Sequence, residues 1–175
     1  IDIAKIVKKT IEEIGYNKDN SGVDPNDIEV LSKLHAQSPE IAQGVDSEDL
    51  ASQGAGDQGL MFGYACKETP ELMPLPIQIS HRLTEKLTEL RKSADMEWLR
   101  PDGKSQVTVQ YDDEGEIEKV HTVVIAIQHD DELKNQFGGS ETEELAYVEQ
   151  QVREHVVEHS IPSELLAEGY KLSLI

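Results

Sequence analysis

The chain has 175 residues, enough for one substantial hydrophobic core or one core plus part of another. Its 35 acidic against 16 basic residues give a formal net charge of -19, a field that repels nucleic acid and anionic membranes and serves first as solubility. The single cysteine, Cys66, excludes an internal disulfide and zinc patterns built on two or four cysteines, so a reducing, cytoplasmic location is the default expectation.

No apolar run approaches the roughly 20 residues of a membrane span, and the N-terminus lacks the basic-then-apolar order of a signal peptide. Ile1 at the start and Ile175 closing an apolar run read as a piece of a longer polypeptide. Ile3, Ile6, Val7, Ile11 and Ile14 recur at helical spacing, with Asp2 placed to cap the first turn and Gly15 to stop the last. After the turn-rich residues 17–27, Ile28, Val30, Ser32 and Leu34 alternate with polar neighbours except at Leu31, which predicts a strand. Residues 37–52 have little periodicity and several acids, and predict a long loop or lid.

Three glycines then introduce a strand over residues 60–65, where Leu60, Phe62 and Tyr64 alternate with smaller residues. Ile79, Leu83, Leu87 and Leu90 predict a helix over 77–91, with Pro76 at its first turn. Val107, Val109 and Tyr111 form one limb of a hairpin and Asp113-Glu114-Gly115 its turn. The return, residues 120–128, is apolar on both faces from Val123 to Ile127 and therefore central. Ser140 with Glu143 makes a capping-box signature before a helix bearing Leu145, Val148, Val152 and Val156, stopped near Pro162. Tyr170, Leu172 and Leu174 begin a last strand. From Leu60 the order β-α-β-β-α-β predicts an α+β fold with helices packed on one face of a mixed sheet.

Gly54, Gly56 and Gly59 spell G-x-G-x-x-G, the pattern of a dinucleotide-binding turn. That turn needs a strand before it and a helix after; here the order is reversed, and Asp57 inside the run opposes a phosphate. His155 and His159 flank Val156-Val157-Glu158 as H-x-x-E-H, one helical turn apart and so able to share a zinc ion. A catalytic site needs a third ligand from a following helix, and the chain soon ends, so two solvated histidines at a helix C-terminus are the simpler reading. Asp102-Gly103-Lys104 occupies a turn ahead of the hairpin, where a lysine can reach an oxyanion and an aspartate a sugar hydroxyl, although Asp-Gly turns are more often structural. His35, His81, His121 and His129 have no partner pattern, and Cys66 beside Lys67 reads as a small hydrophobe rather than a nucleophile.

Four blocks in order carry a more specific signal. They are Gln37-Ser38-Pro39-Glu40-Ile41, Gln43-Gly44-Val45-Asp46, the run from Gly54 through Asp57-Gln58-Gly59-Leu60-Met61-Phe62-Gly63-Tyr64 to Ala65, and Trp98-Leu99-Arg100-Pro101-Asp102-Gly103-Lys104-Ser105-Gln106-Val107-Thr108. Together they closely resemble the S-adenosylmethionine synthetase (methionine adenosyltransferase) family.

The resemblance implies an enzyme of three similar α+β repeats, assembled as a homodimer or homotetramer with active sites between subunits. Residues 1–36 then correspond to the end of the first repeat, 37–50 to a mobile active-site loop, and 51–175 to the central repeat, incomplete at its C-terminus. The implied reaction joins ATP and L-methionine, with Mg2+ and K+ assisting. By motif position, Gln37 and Asp57 contact methionine, Asp102, Gly103 and Lys104 bind ATP, and Lys104 is the catalytic triphosphate contact. Gln37, Ser38, Pro39, Glu40, Ile41, Ala42, Gln43, Gly44, Val45, Asp46 and Ser47 form the gate. The family's His-Pro-Asp-Lys motif, its metal ligands and its basic triphosphate cluster do not occur in these residues. The expectation is therefore that the 175 residues alone are inactive and hold no metal. A non-catalytic binding or assembly module derived from the family is the alternative.

Overall fold

In the computed structural model the backbone of residues 1–175 is described, together with every side chain except those of Asn20, Ala167 and Glu168. The core lies between a three-stranded sheet and two long helical segments. Strands β1 (Leu99–Tyr111) and β2 (Ile117–His129) form the expected hairpin, and β3 (Leu166–Leu174) lies parallel to β2 on its other side, so the sheet is mixed and β2 is central.

Val120, Val123 and Ile125 of β2 are fully buried. A strict two-residue alternation cannot put both 120 and 123 on one face. The ladder resolves this with a bulge: Thr108 pairs with Thr122 but Val109 with Val120, leaving the exposed His121 as the extra residue. Val124 and Ala126, on the opposite face, are only half-buried, so the two faces of the apolar run are not equally covered.

Helix α4 (Leu75–Lys92) supplies the facing layer through Leu75, Ile79, Leu83, Leu87 and Leu90, and runs slightly beyond the predicted limits. Ser105 Oγ donates to Ser80 O at 2.8 Å, tying that helix to β1. Helix α5 (Glu141–Val152) begins at Ser140, whose hydroxyl accepts the Glu143 N–H as the capping signature requires. Its buried face is Glu144, Val148 and Val152; Leu145, expected inward, is half exposed. The helix then widens into a π-helical turn (Arg153–Val157) before the short α6 (Glu158–Ser160), and this turn lets the successive Val156 and Val157 both enter the core.

Three sequence expectations fail. Residues 28–34 and 60–65 are not strands: alternation marks a two-faced segment but cannot supply the neighbouring edge that a ladder needs. Leu60, Phe62 and Tyr64 remain largely exposed. The observed order after residue 60 is accordingly α-β-β-α-β. The predicted loop at 37–52 contains a helix, α3 (Pro39–Val45). At the N-terminus, α1 (Ile3–Ile14) agrees with expectation, capped by the Asp2 carboxylate on Lys5 N and ended by Gly15 at φ 113. A single turn, α2 (Lys18–Ser21), follows. The apolar stripe of α1 is not fully covered, and Ile6 and Ile14 stay exposed.

Helix α4 has no capping side chain at its N-cap, Pro74. Glu68 substitutes from seven residues upstream: its Oε2 accepts the Leu75 N–H and the Tyr111 hydroxyl, each at 2.8 Å, so the helix start and the end of β1 share one carboxylate. These bonds, the Leu75 N–H first, hold the Glu68 carboxyl below its ordinary range. Desolvation and the neighbouring Glu68 charge push Tyr111 up to about 12. A depressed carboxyl stabilises the fold above its unfolded pKa, and that contribution is lost as pH falls through the folded value. Glu68→Gln should therefore lower stability by about 1 kcal/mol at neutral pH. In urea unfolding at a series of pH values, the difference from wild type should vanish below the ordinary carboxylate range.

Candidate functional site

The first half of β1 departs from a regular strand. Leu99 pairs with His129 and Gly103 with Ile127, so four steps along β1 oppose two along β2. Pro101 lies in this interval and has no N–H to give a ladder. The Asp102-Gly103-Lys104 segment, read from sequence as a turn before the strand, therefore lies within it: Asp102 is the last unpaired residue of a bulge, and Gly103 and Lys104 resume the ladder opposite Ile127 and Ala126. Asp102 and Lys104, two residues apart and both exposed, project on the same side.

Two concavities adjoin this bulge. One, of about 80 Å³, lies against α4 and is lined by Thr84, Leu87, Thr88, Arg91 and residues 99–103 with Ile127. The other, of about 230 Å³, is lined by Asp102, Lys104, Ala126, Ile127, Gln128 and Ile175. Neither includes Gln37 or Asp57. Both of those residues are exposed, and the Asp57 carboxylate accepts the N–H of its own neighbour Gln58 at 2.7 Å. Asp102 and Lys104 thus share a concavity, and the two residues assigned to methionine line neither one.

The base of the bulge is held by residues that sequence reasoning did not single out. Arg100 is largely buried; its Nη1 donates to Glu97 O at 2.8 Å and Leu99 O at 3.1 Å, and its Nη2 pairs with the Asp130 carboxylate. Asp130 returns its own N–H to Trp98 O at 2.9 Å. The hairpin register was the available signal, since it sets the end of β2 beside the start of β1, and a half-buried guanidinium requires acceptors. A second such pair, His129 Nε2 with the buried Glu144 at 3.3 Å, joins β2 to α5.

The gate segment has a defined shape of its own. The Gly54 N–H donates to Gly44 O at 2.9 Å and Gln53 Nε2 to Val45 O at 2.8 Å, so the last turn of α3 is closed by the strand of chain that follows it. Gly56 rests against Ile41 and Val45. The glycine run packs onto this helix instead of leading into a strand.

His155 and His159 are both exposed, and the π-helical turn between them replaces the α-helical spacing on which the zinc reading depended. His159 Nδ1 lies 3.1 Å from Glu154 O. Among the described residues no group of three or more His, Cys, Asp or Glu is arranged to hold a metal, and no helix is long and apolar enough to cross a membrane.

Residues 52–174 match the sequence family described as S-adenosylmethionine synthetase, central domain, which is well over half of the chain. The chain belongs to the S-adenosylmethionine synthetase family. Its mixed sheet with helices packed against it is consistent with the α+β architecture of the synthetase central domain. The matched stretch contains Asp57, Asp102, Gly103 and Lys104; Gln37 and the gate residues precede it. For this synthetase domain the closed loop gives a direct test. A Cβ at residue 54 would sit 2.5 Å from Gly44 O, a backbone atom that cannot swing aside. Gly54→Ala should therefore open α3 and raise the proteolysis rate at residues 46–53 about tenfold, with the unfolding midpoint of the sheet unchanged; limited proteolysis with mass mapping reads both effects.

Proposed function

We propose that this chain serves methionine adenosyl transfer: formation of S-adenosylmethionine from ATP and L-methionine, with the triphosphate released and then hydrolysed to pyrophosphate and phosphate. The observation that carries the reading is family membership, joined to the position of Lys104 beside Asp102 in one concavity at the exit of an exposed bulge.

The chemistry suits these residue types. Methionine sulfur attacks ribose C5′, the C5′–O bond breaks, positive charge appears on sulfur and negative charge on the departing oxygen. A carboxylate such as Asp57 near the first and the Lys104 ammonium near the second stabilise the charges as they develop. Asp102 and Gly103 accompany Lys104 on ATP, and Gln37 joins Asp57 on methionine. Closure of residues 37–47 over the reactants excludes water and fixes the in-line approach.

We read the complete site as needing more than these residues: Asp102 and Lys104 share a concavity whose lining does not include Gln37 or Asp57. A triphosphate needs several cations, and this chain carries a net charge of -19. Among the described residues no group of three or more His, Cys, Asp or Glu is arranged to hold a metal, and we place the ligands of Mg2+ and K+, with further phosphate contacts, in the rest of the synthetase. A homodimer or homotetramer is the form in which we place the complete site, a reading supported by the exposed apolar side chains Leu60, Met61 and Phe62. A cytoplasmic location accompanies it.

The expected outcome is no S-adenosylmethionine from the purified 175 residues with ATP, methionine, Mg2+ and K+, and product from the synthetase carrying this sequence. In the latter, Lys104→Met should reduce kcat by about 10²- to 10³-fold. Product formation by the isolated chain overturns the expectation of inactivity, and an unchanged kcat removes the role of Lys104.

A further inference from the structure

We propose that Arg100 is a positioning residue for the nucleotide end of the site, holding the bulge that carries Asp102 and sets where the strand resumes at Gly103 and Lys104. The proposal rests on the reading of Lys104 as a triphosphate contact, and deepens it.

Between Leu99 and Gly103 the pairing with β2 lapses, so the cross-strand ladder does not fix residues 100–102. Arg100 does so in its place. One guanidinium nitrogen collects the carbonyls of Glu97 and Leu99, which immediately precede the bulge, and another reaches across to Asp130 at the end of β2. Asp130 is itself immobilised: besides its N–H on Trp98 O, its carboxylate accepts Glu132 N at 3.0 Å and its carbonyl accepts Leu133 N at 3.0 Å. Leu133 is buried in the main core. A continuous line of contacts therefore runs from the core, through Asp130 and Arg100, to the foot of the bulge.

The energetics favour a geometric role over a stabilising one. An ion pair whose arginine is largely buried and whose carboxylate is partly exposed contributes little net stability, because desolvation of the guanidinium offsets the attraction, and the Arg100 Nε hydrogen is buried with no partner among the described residues. What such a pair does supply is a single conformation. Displacing a reacting contact by about 1 Å is enough to cost on the order of 10²-fold in rate. The bulge has no other side-chain clamp among the bonds described for residues 100–104.

Arg100→Met retains length and apolar volume but removes every donor, Arg100→Lys keeps the pair with Asp130 without the fork to two carbonyls, and Asp130→Asn keeps a neutral acceptor. In the synthetase carrying this sequence, Arg100→Met should lower kcat by about 10²-fold while KM for methionine moves less than about twofold. Arg100→Lys should restore part of the loss. In the 175-residue chain, amide exchange at Gly103 and Lys104 should accelerate in Arg100→Met and less in Asp130→Asn, with Val123 and Ile125 still protected. Unchanged exchange at Gly103 and Lys104, or an equal rise across the whole sheet with kcat falling only as the folded fraction falls, overturns the proposal. Loss of kcat in Arg100→Met without any effect of Lys104→Met leaves the clamp standing on its exchange signature and sinks the triphosphate reading instead.

Discussion

The fold depends on one strand. β2 is paired on both edges and contributes Val120, Val123 and Ile125 at zero exposure to the core it shares with α4, α5 and the π-helical turn. Burial of those side chains is possible only because the bulge at His121 changes which residues face inward. Without that extra residue either Val120 or the pair Val123 and Ile125 would face away from the helices. Loss of a buried aliphatic side chain of this kind costs about 1.5–3 kcal/mol in transfer energy alone.

Of the three irregularities in the ladder of β1 and β2, two divide the sheet by purpose. The bulge near the middle of the hairpin serves packing, whereas the one at residues 99–103 releases backbone from the ladder and turns polar side chains outward. The second stands at the sheet's end, where the Arg100–Asp130 pair adds a polar clamp beside the buried Met96 and Leu99.

Much of this was legible in the sequence, for identifiable reasons. Helices α1 and α4, the hairpin with its turn at residues 113–115 and the Ser140 cap each announce themselves through local chemistry: apolar spacing, a proline in the first turn, a glycine at positive φ, a hydroxyl three residues before an N–H. Longer-range facts were not. Alternation at residues 28–34 and 60–65 is the same pattern that marked the true strands, and only the absence of a pairing edge distinguishes them. The inward turn of Glu144 in place of Leu145 depends on His129, fifteen positions away, and the π-helical turn follows from two successive valines competing for one core. At the candidate site, Asp102, Gly103 and Lys104 were named by a motif, but the pair beside them spans residues 100 and 130, and nothing local at either position names the other.

The bond between Gly54 and Gly44 carries a consequence for how residues 37–56 can respond to a partner. A flexible coil of that length gives up roughly 1–2 kcal/mol of conformational entropy for each residue it fixes. A segment already folded back on its own helix has few torsions left to surrender, and they lie where it joins the rest of the chain. Its movements are then those of a small solid piece between two irregular segments, residues 28–38 and 57–74, and the free energy of an encounter goes more into contact than into ordering.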